Sequence, residues 1–77
     1  MKTTWYFENN GKLKHPEAKR TDWVQTVLAG PSRTQVQPDG RVRHWGYIQE
    51  AQRWMRVVTL EDRETVLNAF FDRTFKP

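Results

Sequence analysis

Gly30 and Pro31 divide this chain into halves with different hydrophobic periods. Before them, Ala18, Trp23, Val24, Val27 and Leu28 recur at close to the 3.6-residue spacing of an amphipathic helix, while Lys19, Arg20, Asp22 and Gln25 fall off that stripe. Pro16 suits a first helical turn, and Glu17 favours the positive end of the helix dipole. A Gly followed by a Pro stops a helix, because Gly relaxes the backbone and Pro has no amide hydrogen to continue the ladder. After Pro31 the period is two. The segments Thr34–Gln37, Arg41–Gln49, Trp54–Leu60 and Thr65–Phe71 read as strands. Turns are expected at Pro38-Asp39-Gly40, Glu50-Ala51-Gln52 and Glu61–Glu64. Successive strands joined by such short turns form an antiparallel meander.

The expectation is therefore an α+β fold: a short N-terminal strand or arm, one main helix, and a three- to four-stranded antiparallel sheet. Residues 3–9 have strand composition, and Asn9-Asn10-Gly11 breaks the chain after them. The whole reads as a single domain over residues 1–77, with an N-terminal arm at 1–15, a helix at 16–29, a sheet at 34–71 and a tail at 72–77.

A domain of this size buries only about 60% of the surface its unfolded chain exposes. Cysteine is absent and only His15 and His44 are present, so neither disulfides nor a structural zinc is expected to reinforce it. Four Trp, two Tyr and four Phe must supply the packing, and a homodimer would add to it. The longest apolar runs, Trp5-Tyr6-Phe7 and Ala69-Phe70-Phe71, are far shorter than the roughly 20 residues of a membrane span. Met1 to Trp5 leads into no apolar stretch of a secretory signal, which points to a cytoplasmic protein with no membrane association.

The formal charge of +4 is unevenly spread. Arg33, Arg41, Arg43, Arg53 and Arg56 fall in a segment whose acids are Asp39 and Glu50, which suggests a polyanionic partner. Alternation assigns Val42, Ile48, Met55, Val57, Leu67, Ala69 and Phe71 to a helix-covered face. The opposite face then carries Arg41, Arg43, Trp45, Tyr47, Trp54, Arg56, Asn68 and Phe70. Arginine interleaved with aromatic rings suits single-stranded RNA, because guanidinium groups pair with phosphates and each stacked base contributes roughly 1–3 kcal/mol. The competing reading makes the same rings core, with the Arg stems lying across them.

The order of helix, Gly-Pro stop, Pro-Asp-Gly-Arg turn and three closing strands, from His15 to Lys76, resembles the RelE-like and BrnT-like small bacterial toxins. These share a fold with the barnase, colicin and EndoU nucleases. The matching stretches are Leu28-Ala29-Gly30-Pro31, Gly40-Arg41, Met55-Arg56-Val57-Val58 and Thr65 to Arg73. The resemblance implies a metal-independent ribonuclease acting on single-stranded or ribosome-associated RNA, or a relative of one, neutralised by a protein antitoxin. It also implies a Tyr near the C-terminal end, where this chain has Phe70, Phe71 and Phe75, and a Lys-His pair before a helix, a place filled by Lys14-His15.

Metal-free cleavage needs a base for the 2′-OH, an acid for the leaving oxygen and cations for the phosphorane-like transition state. His44 is the first candidate acid/base and His15 the second, with Glu50 as an alternative base. Arg43, Arg56 and Arg73 are candidate phosphate clamps, and Arg41, Trp45, Tyr47 and Trp54 complete the expected nucleic-acid surface. No Ser-His-Asp, GxGxxG, phosphate-loop or metal-ligand motif occurs, and no cofactor is expected. The alternatives are a non-catalytic module of the same fold that binds RNA or protein, and the antitoxin or immunity half of a pair.

Overall fold

The structure, a computed structural model, describes residues 1–77. Its four-stranded antiparallel sheet runs in chain order: β1 (Arg33–Val36), β2 (Val42–Ile48), β3 (Arg53–Thr59) and β4 (Val66–Phe71). Each strand lies within about two residues of its expected bounds, and the fold is α+β. The three turns form where they were expected. In the first, the Gly40 amide donates to the Gln37 carbonyl and Asp39 accepts from the Arg41 amide. Gly40 adopts φ 93°, a conformation costly for any residue with a Cβ.

The helical half departs from expectation twice. Residues 3–9 do not form a strand. Only Thr3 pairs with the sheet, through a parallel bridge to Val66, and helical backbone begins at Trp5. It passes through a π turn (Phe7–Gly11) into a short helix, α1 (Lys12–Lys14). Thr4 explains the change. Its hydroxyl accepts the Phe7 amide at 3.1 Å and caps a helix start, and Glu8 supports the next turn through an ion pair with Lys12 at 2.8 Å. The π turn brings both Phe7 and Gly11 into the interior beside β4.

The expected helix over 16–29 is also broken. A 3₁₀ turn (Pro16–Lys19) precedes α2 (Thr21–Ala29), and Arg20 leaves helical geometry with ψ 85°. The break lets the first segment serve β4 while the second serves β2 and β3. The Glu17 carboxylate accepts the Phe71 amide at 2.9 Å, and Ala18 is fully buried.

α2 lies across β2 and β3. Val24 and Val27 enter a core that includes Phe7, Ala18, Ile48, Met55, Val57, Val66 and Ala69. Strand alternation places these sheet residues correctly with one exception. A β-bulge between Val58 and Thr59 pairs Asn68 with Val58 and Val66 with Thr59. Leu67 is the extra residue, so Val66 takes the core position expected of Leu67, which turns to the other face.

The outer edge of β4 is occupied by the Lys2–Thr4 arm and Glu17. The outer edge of β1 is open but only four residues long, between Pro31 and Pro38. That is a poor template for further strands. No helix is long and apolar enough to cross a membrane.

At the centre of the helix–sheet contact is Gly46. A Cβ there would lie 3.1 Å from Val27 Cγ2 and 3.3 Å from Val27 Cα, so α2 would have to retreat. Gly46→Ala is expected to destabilise the protein by about 1–3 kcal/mol, as overpacking does. Gly30→Ala, which meets nothing within 4 Å, should be close to neutral. Urea unfolding midpoints of the two variants test this; equal midpoints would mean that the contact is not tight.

Candidate functional site

The sheet face turned away from α2 is ordered by the strand register. One row across the sheet pairs Arg33 with Trp45, Trp45 with Arg56 and Arg56 with Phe70, which alternates guanidinium and ring over all four strands. The next row runs Gln35, Arg43, Val58 and Asn68, and a third pairs Tyr47 with Trp54. The register thus brings together Arg43, Trp45, Tyr47, Trp54 and Arg56 as alternation implies, and adds Arg33 and Gln35.

Half of this face is covered by the chain itself. After β4, Asp72 is buried, and its Oδ2 accepts the Trp45 indole N–H at 2.9 Å and the Arg56 Nε and Nη2 at 3.1 and 2.7 Å. Its Oδ1 accepts the amide and hydroxyl of Thr74 at 3.0 and 2.7 Å. The turn thus formed folds the tail back. Phe75 stacks on Trp45 with centroids 5.0 Å apart and an interplanar angle of 16°, and packs on Trp54 at 4.9 Å. The Arg33 guanidinium lies 5.1 Å from the Phe75 centroid, and it donates to the Lys76 carbonyl at 3.3 Å. Trp45, expected on an open surface, is therefore 6% exposed and belongs to a second small core. Tyr47, at 41%, keeps a free side. Asp72 has no place among the candidate residues, and Phe75 enters them only as one of three residues standing where the resemblance implies a Tyr. Their signal is the Asp72-Arg73-Thr74 spacing, which is that of a side-chain-capped turn, followed by an aromatic.

The other half of the face is open. Arg41, Arg43 and Arg56, with Tyr6, Gln37, Val58, Leu67 and Asn68, line a shallow cavity of ≈ 300 Å³ that contains no carboxylate. Arg43 and Arg33 make no ion pair, nor do Lys14, Lys19, Arg53, Arg63, Arg73 and Lys76, whereas Lys2, Lys12 and Arg20 are each matched by an acid. Arg56 is fixed: Asp72 holds one edge of its guanidinium, and the Trp45 and Phe70 rings lie 5.5 and 5.0 Å away. Arg73 is not part of this set. It borders a separate hollow beyond Phe75, with Arg53 and Trp54.

The candidate acid/base residues separate. His44 is 4% exposed on the helix side of the sheet, with Nε2 2.9 Å from Thr59 Oγ1 and Nδ1 unpartnered. The β2–β3 register is continuous through Gly46, so no bulge turns His44 toward the arginines, and parity keeps it on the wrong face. Glu50 is exposed in the β2–β3 turn beside Arg20 and Trp23 and is not desolvated. His15 does reach the face: its ring packs on Phe70 at 5.1 Å, and the same ring lies 5.0 Å from the Arg56 guanidinium. No group of three His, Asp or Glu side chains converges anywhere in the fold.

Comparisons with protein-family models, with curated proteins and with solved structures found no match.

The electrostatics set the pH dependence of stability. Burial pushes the His44 pKa down, and nearby Arg63 adds to the effect. Unfolded His titrates near pH ~6.5, so the unfolded chain gains a proton there that the folded chain resists, and stability falls as pH drops through that value. Burial pushes the Asp72 carboxyl up, but the bonds from Thr74, Trp45 and Arg56 outweigh this and hold it well below the usual range. The Asp62 carboxyl is lowered to about 2 by Thr65 and by backbone amides. Stability from both carboxylates is complete above roughly pH 4 and is lost below it. Thermal midpoints are therefore expected to be level above about pH 7, to decline modestly below about 6.5 and to fall steeply below about 4. His44→Gln should remove the first decline. Asp72→Asn should cost about 2–4 kcal/mol at neutral pH, less than the full value of a wholly buried pair because Arg56 keeps some water. A decline below 6.5 that persists in His44→Gln would refute the assignment.

Proposed function

We propose that this protein binds single-stranded RNA on the sheet face opposite α2, with phosphates in the cavity lined by Arg41, Arg43 and Arg56. The observation that carries the reading is that concavity: three guanidinium groups, of which Arg41 and Arg56 also face Asp39 and Asp72 outside its lining and Arg43 faces no acid, with polar and apolar side chains beside them. Arg56 suits the role because Asp72 and two rings orient it in advance, so little side-chain freedom is lost on binding. Arg43 is held at 3.2 Å by Gln35, a neutral partner that leaves its charge uncompensated. Tyr6 and Tyr47, both partly exposed, offer rings to flanking bases. The likeness of residues 15–76 to RelE-like and BrnT-like toxins points the same way.

Affinity should fall with salt. Three phosphate contacts on a single strand give a slope of about −2 in log K against log salt, at about −0.7 each. Arg43→Ala should weaken binding and reduce that slope by about 0.7. Fluorescence anisotropy of a labelled single-stranded RNA over a salt series measures both. Absent binding at low salt, or binding indifferent to salt, would refute the proposal.

A second reading adds catalysis. It is favoured by one observation, the packing of the His15 imidazole and the oriented Arg56 guanidinium against the same Phe70 ring. On this reading the protein cleaves RNA in excess EDTA, and His15→Ala abolishes cleavage while leaving binding within about twofold of wild type. RNA that stays intact with wild type under conditions of full binding leaves a non-catalytic binding module.

A further inference from the structure

The seat of Phe75 has the geometry of a base-binding site. Its ring is nearly parallel to the Trp45 indole, Trp54 closes one side, and the Arg33 guanidinium approaches it from β1. A flat ring held between an indole and a guanidinium is how proteins grip an unpaired base, and the interaction is tolerant of the ring's identity because every base has a π-face. The seat also adjoins the phosphate cavity. A hollow of ≈ 390 Å³, lined by Arg33, Gln35, Trp45, Arg56 and Phe75 among others, shares Arg56 with the cavity of Arg41 and Arg43. A phosphate at Arg56 would therefore have the ring seat on one side and the open cavity on the other.

The geometry points to a second nucleobase subsite formed by Trp45, Trp54 and Arg33, which Phe75 occupies when no RNA is bound. This inference rests on the reading of the face as an RNA surface and extends it: the ligand is a base of the same single strand, adjacent to the phosphate at Arg56. Phe75 can leave without dismantling the anchor of the tail. The buried bonds of Asp72 to Trp45 and Arg56 precede it in the chain, and beyond Thr74 the only polar tie in the segment is the 3.3 Å bond from Arg33 to the Lys76 carbonyl. Trp45 keeps its indole hydrogen bond to Asp72, so the platform stays oriented when the ring above it is exchanged.

The test measures binding of a labelled short oligoadenylate to wild type, Phe75→Ala and Phe75→Trp, and the proton chemical shifts of the Phe75 ring in wild type with and without the unlabelled oligomer. Phe75→Ala is expected to bind about tenfold more tightly, the equivalent of one added stacked base. Phe75→Trp, which refills the seat, should bind no better than wild type. In wild type, the Phe75 ring protons, stacked on the Trp45 indole, should lose the ring-current shift of that contact when the oligomer is bound, a readout that does not require any variant to fold. Wild-type binding with unchanged Phe75 ring shifts, or binding by a folded Phe75→Ala no tighter than wild type, would overturn the subsite while leaving the RNA surface intact. Absence of binding by wild type and Phe75→Ala alike would overturn both.

Discussion

The carboxylate of Asp72 organises the face of the sheet that α2 does not cover. An ionised group buried to this degree is tolerated only when its lone pairs are satisfied, and here five donor groups from Trp45, Arg56 and Thr74 do so. Hydrogen bonds to a charged group contribute roughly 1.5–3 kcal/mol each, so the set can offset a desolvation cost of several kcal/mol. Its structural consequence is larger than its energy. One oxygen sets the plane of the Arg56 guanidinium and the tilt of the Trp45 indole; the other starts the turn that returns the tail over both. Two residues expected to meet nucleic acid are thus positioned by a third that carries the opposite charge.

Much of this was legible in the sequence, and what was not has identifiable causes. The strands and turns follow from alternation and from Pro38-Asp39-Gly40, whose chemistry admits few conformations. The open-face residues of β2 and β3 follow from parity, which in the observed register also sets His44 on the helix side. Besides the break at Arg20 in the expected helix, three features escaped. Trp5, Tyr6 and Phe7 favour strands by composition, but a single hydroxyl, that of Thr4, caps a helix start, and one capping bond outweighs weak propensities. The bulge that exchanges Leu67 for Val66 leaves no mark in the residue types, since both are aliphatic. The return of the tail depends on a contact between Asp72 and Arg56 that only the fold creates.

The charge pattern gains meaning from the same geometry. Arg20 sits between Asp22 and Glu50, and Lys12 beside Glu8; these surface pairs are worth little and leave little net field. Arg33, Arg41 and Arg43 cluster where β1 and β2 meet on the other face, with only Arg41 near an acid, at 3.5 Å from Asp39. The net charge of +4 is carried by basic side chains that make no ion pair, among them Arg33 and Arg43 on this face. At the concavity a polyanion would meet Arg43 with its charge uncompensated, and Arg41 and Arg56 each already facing a carboxylate.

A chain of 77 residues without disulfides cannot reserve one side of its sheet for a ligand alone. The helix-side core is filled mainly by Val, Ala and single Phe, Ile and Met side chains, a modest apolar store. Trp45, Trp54, Phe70 and Phe75, together with the Arg33 and Arg56 stems, add a second layer of burial on the opposite face. The rings that could stack on bases are therefore the rings that help hold the fold. A ligand entering between them must replace the contacts it displaces, ring for ring, or the protein loses stability as it binds. That requirement favours a partner made of flat, polarisable rings joined by negative charges. An aliphatic group entering that seat would neither refill the stack on Trp45 nor neutralise the arginines beside it.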